Sequence, residues 1–337
     1  MPPALPPGID LEAMRAARTR IAGHVVATPM ARLRSGTVPA GRGDVARGIA
    51  DIPVAAVRLP RDVLLKLESL QVSGSFKARG AMNKVLSLLP AVAQRGLVTA
   101  SGGNHGLAVA YAGRVVDVPI TVYLPHHTAP AKAARIEGWG ARVVREGHVW
   151  DDAHAAAVGH AERDGLTYVH PFADAAVVCG QATIALEILE QAPDVDLFVV
   201  AIGGGGLISG VAAAAKLLRP GLRVIGVEPV GAPTLSESVR ANAVIELAEI
   251  RTAAGTLAPR RSDALNLAII RETVDSIVLV TDDEMRAAAR FLLDEVGIGA
   301  ELSGAAALAA FLTNKVDLGG AKNPCVLVCG AGNDALP

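Results

Sequence analysis

LFVVAIGGGGLISGVAAAAKLL, residues 197–218, reads as an apolar strand, a turn of four glycines and a helix. The unbroken run Leu197–Ile202 is what a strand covered on both faces of a sheet requires. Leu207–Leu218 is long enough for a crossover helix. Working outward, the same unit recurs. Strands are expected at Leu64–Glu68, Val98–Ser101, Ile120–Leu124, Ala141–Arg145, Thr167–His170, Arg223–Val227, Ser276–Val280 and Cys325–Cys329. Helices are expected at Asn104–Arg114, Asp151–Arg163 and Gln181–Gln191 between them. Such alternation predicts an α/β fold of open, mostly parallel twisted sheets with flanking helices and sites at the carboxyl ends of strands. Asp10 is placed to cap a helix from Leu11, and Thr281-Asp282-Asp283-Glu284 is a capping box. The Gly-, Pro- and Arg-rich stretch Ser35–Asp62 reads as an irregular excursion.

Composition narrows the function. The chain has 337 residues, which suggests two domains, and 51% are hydrophobic, which supplies a large core. Lys and Arg number 32 against 33 Asp and Glu, so charge gives no case for nucleic acid or an anionic membrane. Aromatics at 3% leave little for base-stacking platforms. Cys179, Cys325 and Cys329 are too few for a disulfide framework, and no apolar run reaches the length of a membrane span. The expectation is a cytoplasmic enzyme.

Three glycine-rich turns each follow a strand and open a helix: Ser73–Gly80, Ser101–Gly106 and Gly203–Leu207. Amides at a helix start form an anion site, and glycines allow a phosphate close to the backbone; close packing of helix on sheet is the alternative. The tetraglycine lacks dinucleotide spacing, since Ile208 stands where the third glycine would fall, and no Gly-Lys-Ser/Thr follows. This points to a small phosphorylated cofactor. Lys77 falls in the first turn of its helix, where the dipole opposes a cation and lowers an amine's pKa, as suits a Schiff-base lysine. Lys66, Lys132 and Lys216 read as solvated lysines. His126 and His127 read as loop residues, and His148, His154 and His160 as a solvated helix face.

The run SGSFKARGA resembles the cofactor-lysine segment of the fold-type II pyridoxal-phosphate enzymes, in the threonine/serine dehydratase and serine racemase branch. SGGNHG, HPFADAAVVCGQATIALEI, GGGGLISG, GVEP, LSGAAALAA and CGAGND follow in the family's order. The resemblance implies the tryptophan-synthase-β-like fold, a large cofactor domain of residues 1–95 and 166–337, a small mobile domain of 96–165, and a homodimer. It implies that Lys77 carries pyridoxal 5'-phosphate and later takes the α-proton. Phe76 would pack by the ring and Asn104 would bond its hydroxyl. Gly203, Gly204, Gly205, Gly206 and Leu207 would hold the phosphate, and Cys329 would meet the pyridine nitrogen. Ser101, Gly102, Gly103, Asn104 and His105 would receive the substrate carboxylate.

The departures refine this. Position 102, a proton-carrying Ser in the racemases, is Gly, which disfavours racemisation. Trp150 stands where the dehydratases usually have Tyr. Thr252–Thr256 lacks the family's acid, and Ala182 replaces a glycine. Glu228 matches a cation-binding carboxylate, but its second ligand is Thr234, so no metal is expected. The expected activity is β-elimination from a small β-hydroxy amino acid such as L-threonine or L-serine. An amino-acid racemase and a silent amino-acid-binding homologue are the alternatives. Since Pro337 follows the last motif closely, no appended regulatory domain is expected.

Overall fold

The computed structural model describes residues 3–35 and 59–333. Its strands are β1 Met30–Leu33, β2 Val63–Leu67, β3 Leu97–Ala100, β4 Ile120–Leu124, β5 Arg142–Arg145, β6 Thr167–Tyr168, β7 Leu197–Ala201, β8 Arg223–Pro229, β9 Ser276–Val280 and β10 Pro324–Val328. Its helices are α1 Leu11–Ile21, α2 Lys77–Ser87, α3 Pro90–Ala93, α4 Asn104–Val116, α5 Pro130–Glu137, α6 Trp150–Asp164, α7 Ala175–Gln191, α8 Gly206–Leu218, α9 Thr234–Ala241, α10 Ala264–Thr273, α11 Asp282–Phe291 and α12 Leu302–Leu312. They form two sheets, one in the order β1-β2-β10-β7-β8-β9 and a smaller one in the order β5-β4-β3-β6.

Every strand pairing is parallel except β1 with β2. All residues of β2, β7 and β10 are buried, as their continuous apolar sequences demand. The eight strand expectations outside residues 197–202 are met within a few residues. β1 was not expected: MARL is short, carries Arg32 and pairs antiparallel at the sheet edge, so it lacks both the run and the alternation that mark a strand. Both caps are present. Asp10 Oδ1 accepts from Ala13 N at 2.8 Å, and Thr281 and Glu284 bond reciprocally at 2.7 and 3.2 Å. Residues 36–58 of the excursion lie outside the described residues, and its two ends meet where Ser35 N donates to Asp62 at 2.9 Å.

The smaller sheet takes in Thr167–Tyr168, just past residue 165, and its strands lie between residues 97 and 168 of the chain. One hydrophobic core serves the larger sheet and two serve the smaller, and α2 joins the two layers. Ala81, Met82 and Val85 pack into one of the smaller sheet's cores, while Gly80 crosses α7 so closely that a Cβ on Gly180 would stand 2.6 Å from its Cα.

One lysine departs from expectation. Lys66 is fully buried at the centre of β2, where Nζ donates to Thr28 O at 2.7 Å, Gln191 at 2.9 Å and Glu187 at 2.5 Å. Arg79, also buried, donates to both oxygens of Glu68 at 2.8 Å and to Glu187 at 3.0 Å. An alternating run such as LKLE hides a charge inside a sheet only when partners arrive from elsewhere, here from α2 and α7. Lys132 is exposed, and Lys216 is partly buried against Asp275.

Candidate active site

Lys77 is delivered by stitching two distant segments. Ser73 and Gly74 take left-handed backbone, φ 62° and 84°, in a tight turn before α2. Phe76 N then donates to Cys329 O at 3.2 Å and Ala331 N to Gly74 O at 2.8 Å. The lysine segment is thereby sewn to the end of β10. Lys77 opens α2, and its Nζ donates to Pro171 O at 2.6 Å, a carbonyl rather than a carboxylate. The side chain keeps some exposure, yet the protein around its amine holds the pKa down at about 8, by desolvation, against the opposing pull of Glu301. Burial also pushes the Cys329 thiol well up, so it is neutral, and its Sγ lies 3.5 Å from Ser303 O.

The turn after β3 carries the next group. Asn104 opens α4 and donates from Nδ2 to Glu301 Oε1 at 2.7 Å, the oxygen that also accepts from Thr256 Oγ1 at 3.2 Å. His105 is buried, and its Nε2 lies 3.0 Å from Val169 O while Nδ1 has no partner. Burial and the nearby Lys77 hold it down at about 3, so it is neutral, with Nε2 the protonated nitrogen that the carbonyl requires. Gly102 is imposed by a neighbour: a Cβ there would meet Thr128 Cγ2 at 2.9 Å.

The tetraglycine turns β7 into α8, with Gly205 left-handed at φ 96°. Its glycines are required by the protein itself. A Cβ on Gly204 would stand 2.2 Å from the Phe172 ring, and one on Gly203 would stand 2.7 Å from Thr256 O. Close packing and an anion cradle are thus compatible here: the helix's first amides remain outside its own hydrogen bonds. Asn266 Nδ2 and Ser262 Oγ hold Gly204 O at 2.9 Å each and fix the loop.

The structure brings together Phe76, Lys77, Asn104, His105 and Cys329, with Glu301 among them. Glu301, Thr256, Pro171 and Phe172 were missed by sequence reasoning. The one local signal was an acid directly before the small-residue helix LSGAAALAA. The segment 252–256, which lacks the family's acid, is held by Asp282, which accepts from Thr252 Oγ1 at 2.5 Å and Ala253 N at 2.6 Å. His126, His127 and His148 are exposed, as expected, and His160 is partly buried. His154 is not a solvated residue: it is half-buried, stacked on Trp150 and 2.7 Å from the Tyr168 hydroxyl. Glu228 is buried and pushed up to about 8 by desolvation, and its two oxygens accept from Leu235 N and Ser236 N at 2.8 Å each. It caps α9, while the Thr234 hydroxyl is spent on Pro259 O.

Comparison with known proteins agrees with this geometry. Residues 45–330 match the family model described as pyridoxal-phosphate dependent enzyme. L-threonine ammonia-lyase of Thermotoga maritima is 39% identical over 269 residues, 80% of this chain and 67% of that protein. Phenylserine dehydratase of Ralstonia pickettii is 38% identical over 277 residues, 81% of this chain and 83% of that protein. The structure of maize serine racemase superposes with a TM-score of 0.85 at 29% identity, covering 96% of this chain and 93% of that one.

The residues present fit that cofactor. Ser73 Oγ, Ser75 Oγ and His105 Nδ1 are buried polar atoms without partners around the lysine, and such atoms are rare unless a ligand or water satisfies them. An amine of depressed pKa and a glycine turn opening α8 supply the attachment point and the phosphate seat. The chain therefore belongs to the pyridoxal-phosphate-dependent enzymes of the second fold type, among the threonine ammonia-lyases and serine racemases.

Proposed function

We propose that the protein is an ammonia-lyase converting a small β-hydroxy amino acid, L-threonine or L-serine first, to a 2-oxo acid and ammonia. The observation that carries this reading is Lys77, whose amine is held down at about 8 and anchored to a carbonyl between Asn104 and Cys329. Pyridoxal phosphate, when bound, supplies the electron sink that makes the substrate's α-proton acidic. Lys77 holds the cofactor and, as a neutral amine, takes that proton. Phe76 packs beside the ring, and Gly203 to Gly206 with the Leu207 amide bind the phosphate. Asn104, steadied by Glu301, addresses the ring hydroxyl. Cys329, a neutral thiol, would meet the ring nitrogen without protonating it. The turn Ser101–His105 seats the substrate carboxylate. In net terms the α-proton and the β-hydroxyl depart together as water, and the released enamine tautomerises and is hydrolysed to the 2-oxo acid and ammonia.

Elimination is favoured over racemisation because Gly102 carries no titratable group where a second proton carrier would stand, and a Cβ there would lie 2.9 Å from Thr128 Cγ2. The same reading extends to a homodimer in the cytoplasm, with the unit of residues 96–165 closing over the cofactor. No helix among the described residues is long and apolar enough to cross a membrane.

The test is a visible spectrum of the purified protein, then a panel of L- and D-β-hydroxy amino acids with 2-oxo acid detection. A visible band lost in Lys77→Ala, with 2-oxo acid from one panel member, is expected. Loss of optical activity without 2-oxo acid would instead make it a racemase. A spectral change with no product would make it a silent binder.

A further inference from the structure

The turn proposed to seat the substrate begins one residue after Ala100, and a side chain from another element holds that residue. Trp150 Nε1, at the first position of α6, donates to Ala100 O at 2.9 Å. The indole is itself fixed. It stacks on His154, one helical turn on, with ring centres 4.8 Å apart and planes 8° from parallel. His154 Nδ1 lies 2.7 Å from the Tyr168 hydroxyl, and burial raises Tyr168 while lowering His154, so the phenol donates to a neutral imidazole. The rings continue edge-on through His170, 6.1 Å from His154, to Phe172, 4.6 Å further, which lies against Gly204. A chain with 3% aromatic residues has gathered Trp150, Tyr168 and Phe172 between the Ser101–Gly106 and Gly203–Leu207 turns.

The anchors of the turn divide in two. On its downstream side His105 Nε2 lies 3.0 Å from Val169 O, and Asn104 donates to Glu301. On its upstream side Ser101 Oγ accepts from Gly103 N at 3.3 Å within the turn, Gly102 and Gly103 have no side chain by which to be held, and the point fixed from another element is Ala100. A hydrogen bond there sets the height from which the next three amides leave the strand.

We propose that Trp150 is a positioning residue: its indole N–H, held in place by the His154–Tyr168 pair, sets the carboxylate seat of the Ser101–His105 turn without touching substrate or cofactor. This rests on the assignment of that turn to the substrate carboxylate. Phenylalanine at position 150 keeps the ring and its stacking but removes the donor.

The experiment titrates holoenzyme with L-alanine, which has no β-leaving group, and with ethylamine, which has no carboxylate, following the cofactor's visible band. In Trp150→Phe the half-saturating L-alanine concentration is expected to rise about fivefold, one hydrogen bond's worth, with ethylamine unchanged. KM for the productive substrate should rise alike, with kcat within about twofold. His154→Leu, which removes stack and acceptor together, should shift L-alanine the same way. Equal weakening of both ligands, or of neither, would overturn the proposal and leave Trp150 a packing residue. A variant too unstable to purify is replaced in the same titration by His154→Leu, whose selectivity then decides. A wild type that binds L-alanine but forms no 2-oxo acid removes the lyase reading and leaves this one standing. A wild type with no cofactor band overturns both.

Discussion

Lys77 and Glu301 owe their chemistry to surroundings from remote parts of the chain. Because burial lowers the Lys77 pKa to about 8 rather than 10.5, its amine is neutral above pH 8 and protonated below it. Covalent fixation of pyridoxal phosphate by borohydride should therefore rise with pH with a midpoint near 8, and mass spectrometry of the labelled peptide would read it; a midpoint near 10.5 would contradict the burial argument. Glu301 accepts from Asn104 and Thr256 and lies 197 residues from the asparagine. Glu301→Ala should free Asn104 and lower kcat/KM by about fivefold, as loss of a hydrogen bond does, with the fold intact by circular dichroism. Lys77 and Asn104 were legible because each sits in a short local motif. Glu301 and the Pro171 carbonyl were not, since only the folded chain brings them there. Lys66 was misread for the same reason: nothing in LKLE names Glu187 or Gln191 as partners.

At the scale of elements, strands buried on both faces announced themselves and edge pieces did not. β2, β7 and β10 have no polar face to confuse the pattern, whereas β1 has neither run nor alternation. Helix starts were legible through Asp10 and Thr281, whose side chains bond within three residues of themselves. Helix crossings were not, because they depend on which glycines meet. The α2–α7 crossing is one case, with Gly180 against Gly80 and the backbone of Arg79. Gly180→Ala should force the helices apart and cost about 1–3 kcal/mol, as overpacking does, read as a lower denaturant midpoint. Because α2 begins with Lys77, its cofactor affinity should fall as well, while Gly221→Ala, with open space around it, should change neither.

Across the whole molecule, the buried Lys66, Glu68 and Arg79 and the partly buried Glu187 tie β2, α2 and α7 together. Arg79→Leu leaves Glu68 buried with its chief partner gone and should cost about 3–5 kcal/mol, measured by chemical denaturation. The Glu187 carboxyl is held below its ordinary pKa of 4.5 by Arg79 and Lys66, against the upward push of desolvation. Its contribution is complete above that ordinary value and is lost as pH falls through the lower folded value. Thermal midpoints should therefore be flat near neutrality and decline below about pH 4.5, less steeply in Glu187→Gln.

The smaller sheet leaves and rejoins the rest of the chain at one place: Thr167 N donates to Gly96 O at 3.2 Å, and Val169 N to Val98 O at 2.9 Å. A segment with adjacent ends can pass between relatives as one piece with only two neighbouring joints to match. On the assignments proposed here, the carboxylate turn, Thr128 and Trp150 travel with that piece, and Lys77, the tetraglycine, Glu301 and Cys329 stay behind. Which amino acid is accepted and how its bonds are activated would thus be separately heritable. A chimera carrying residues 97–168 of the phenylserine dehydratase should take on that enzyme's side-chain preference while keeping this protein's cofactor spectrum.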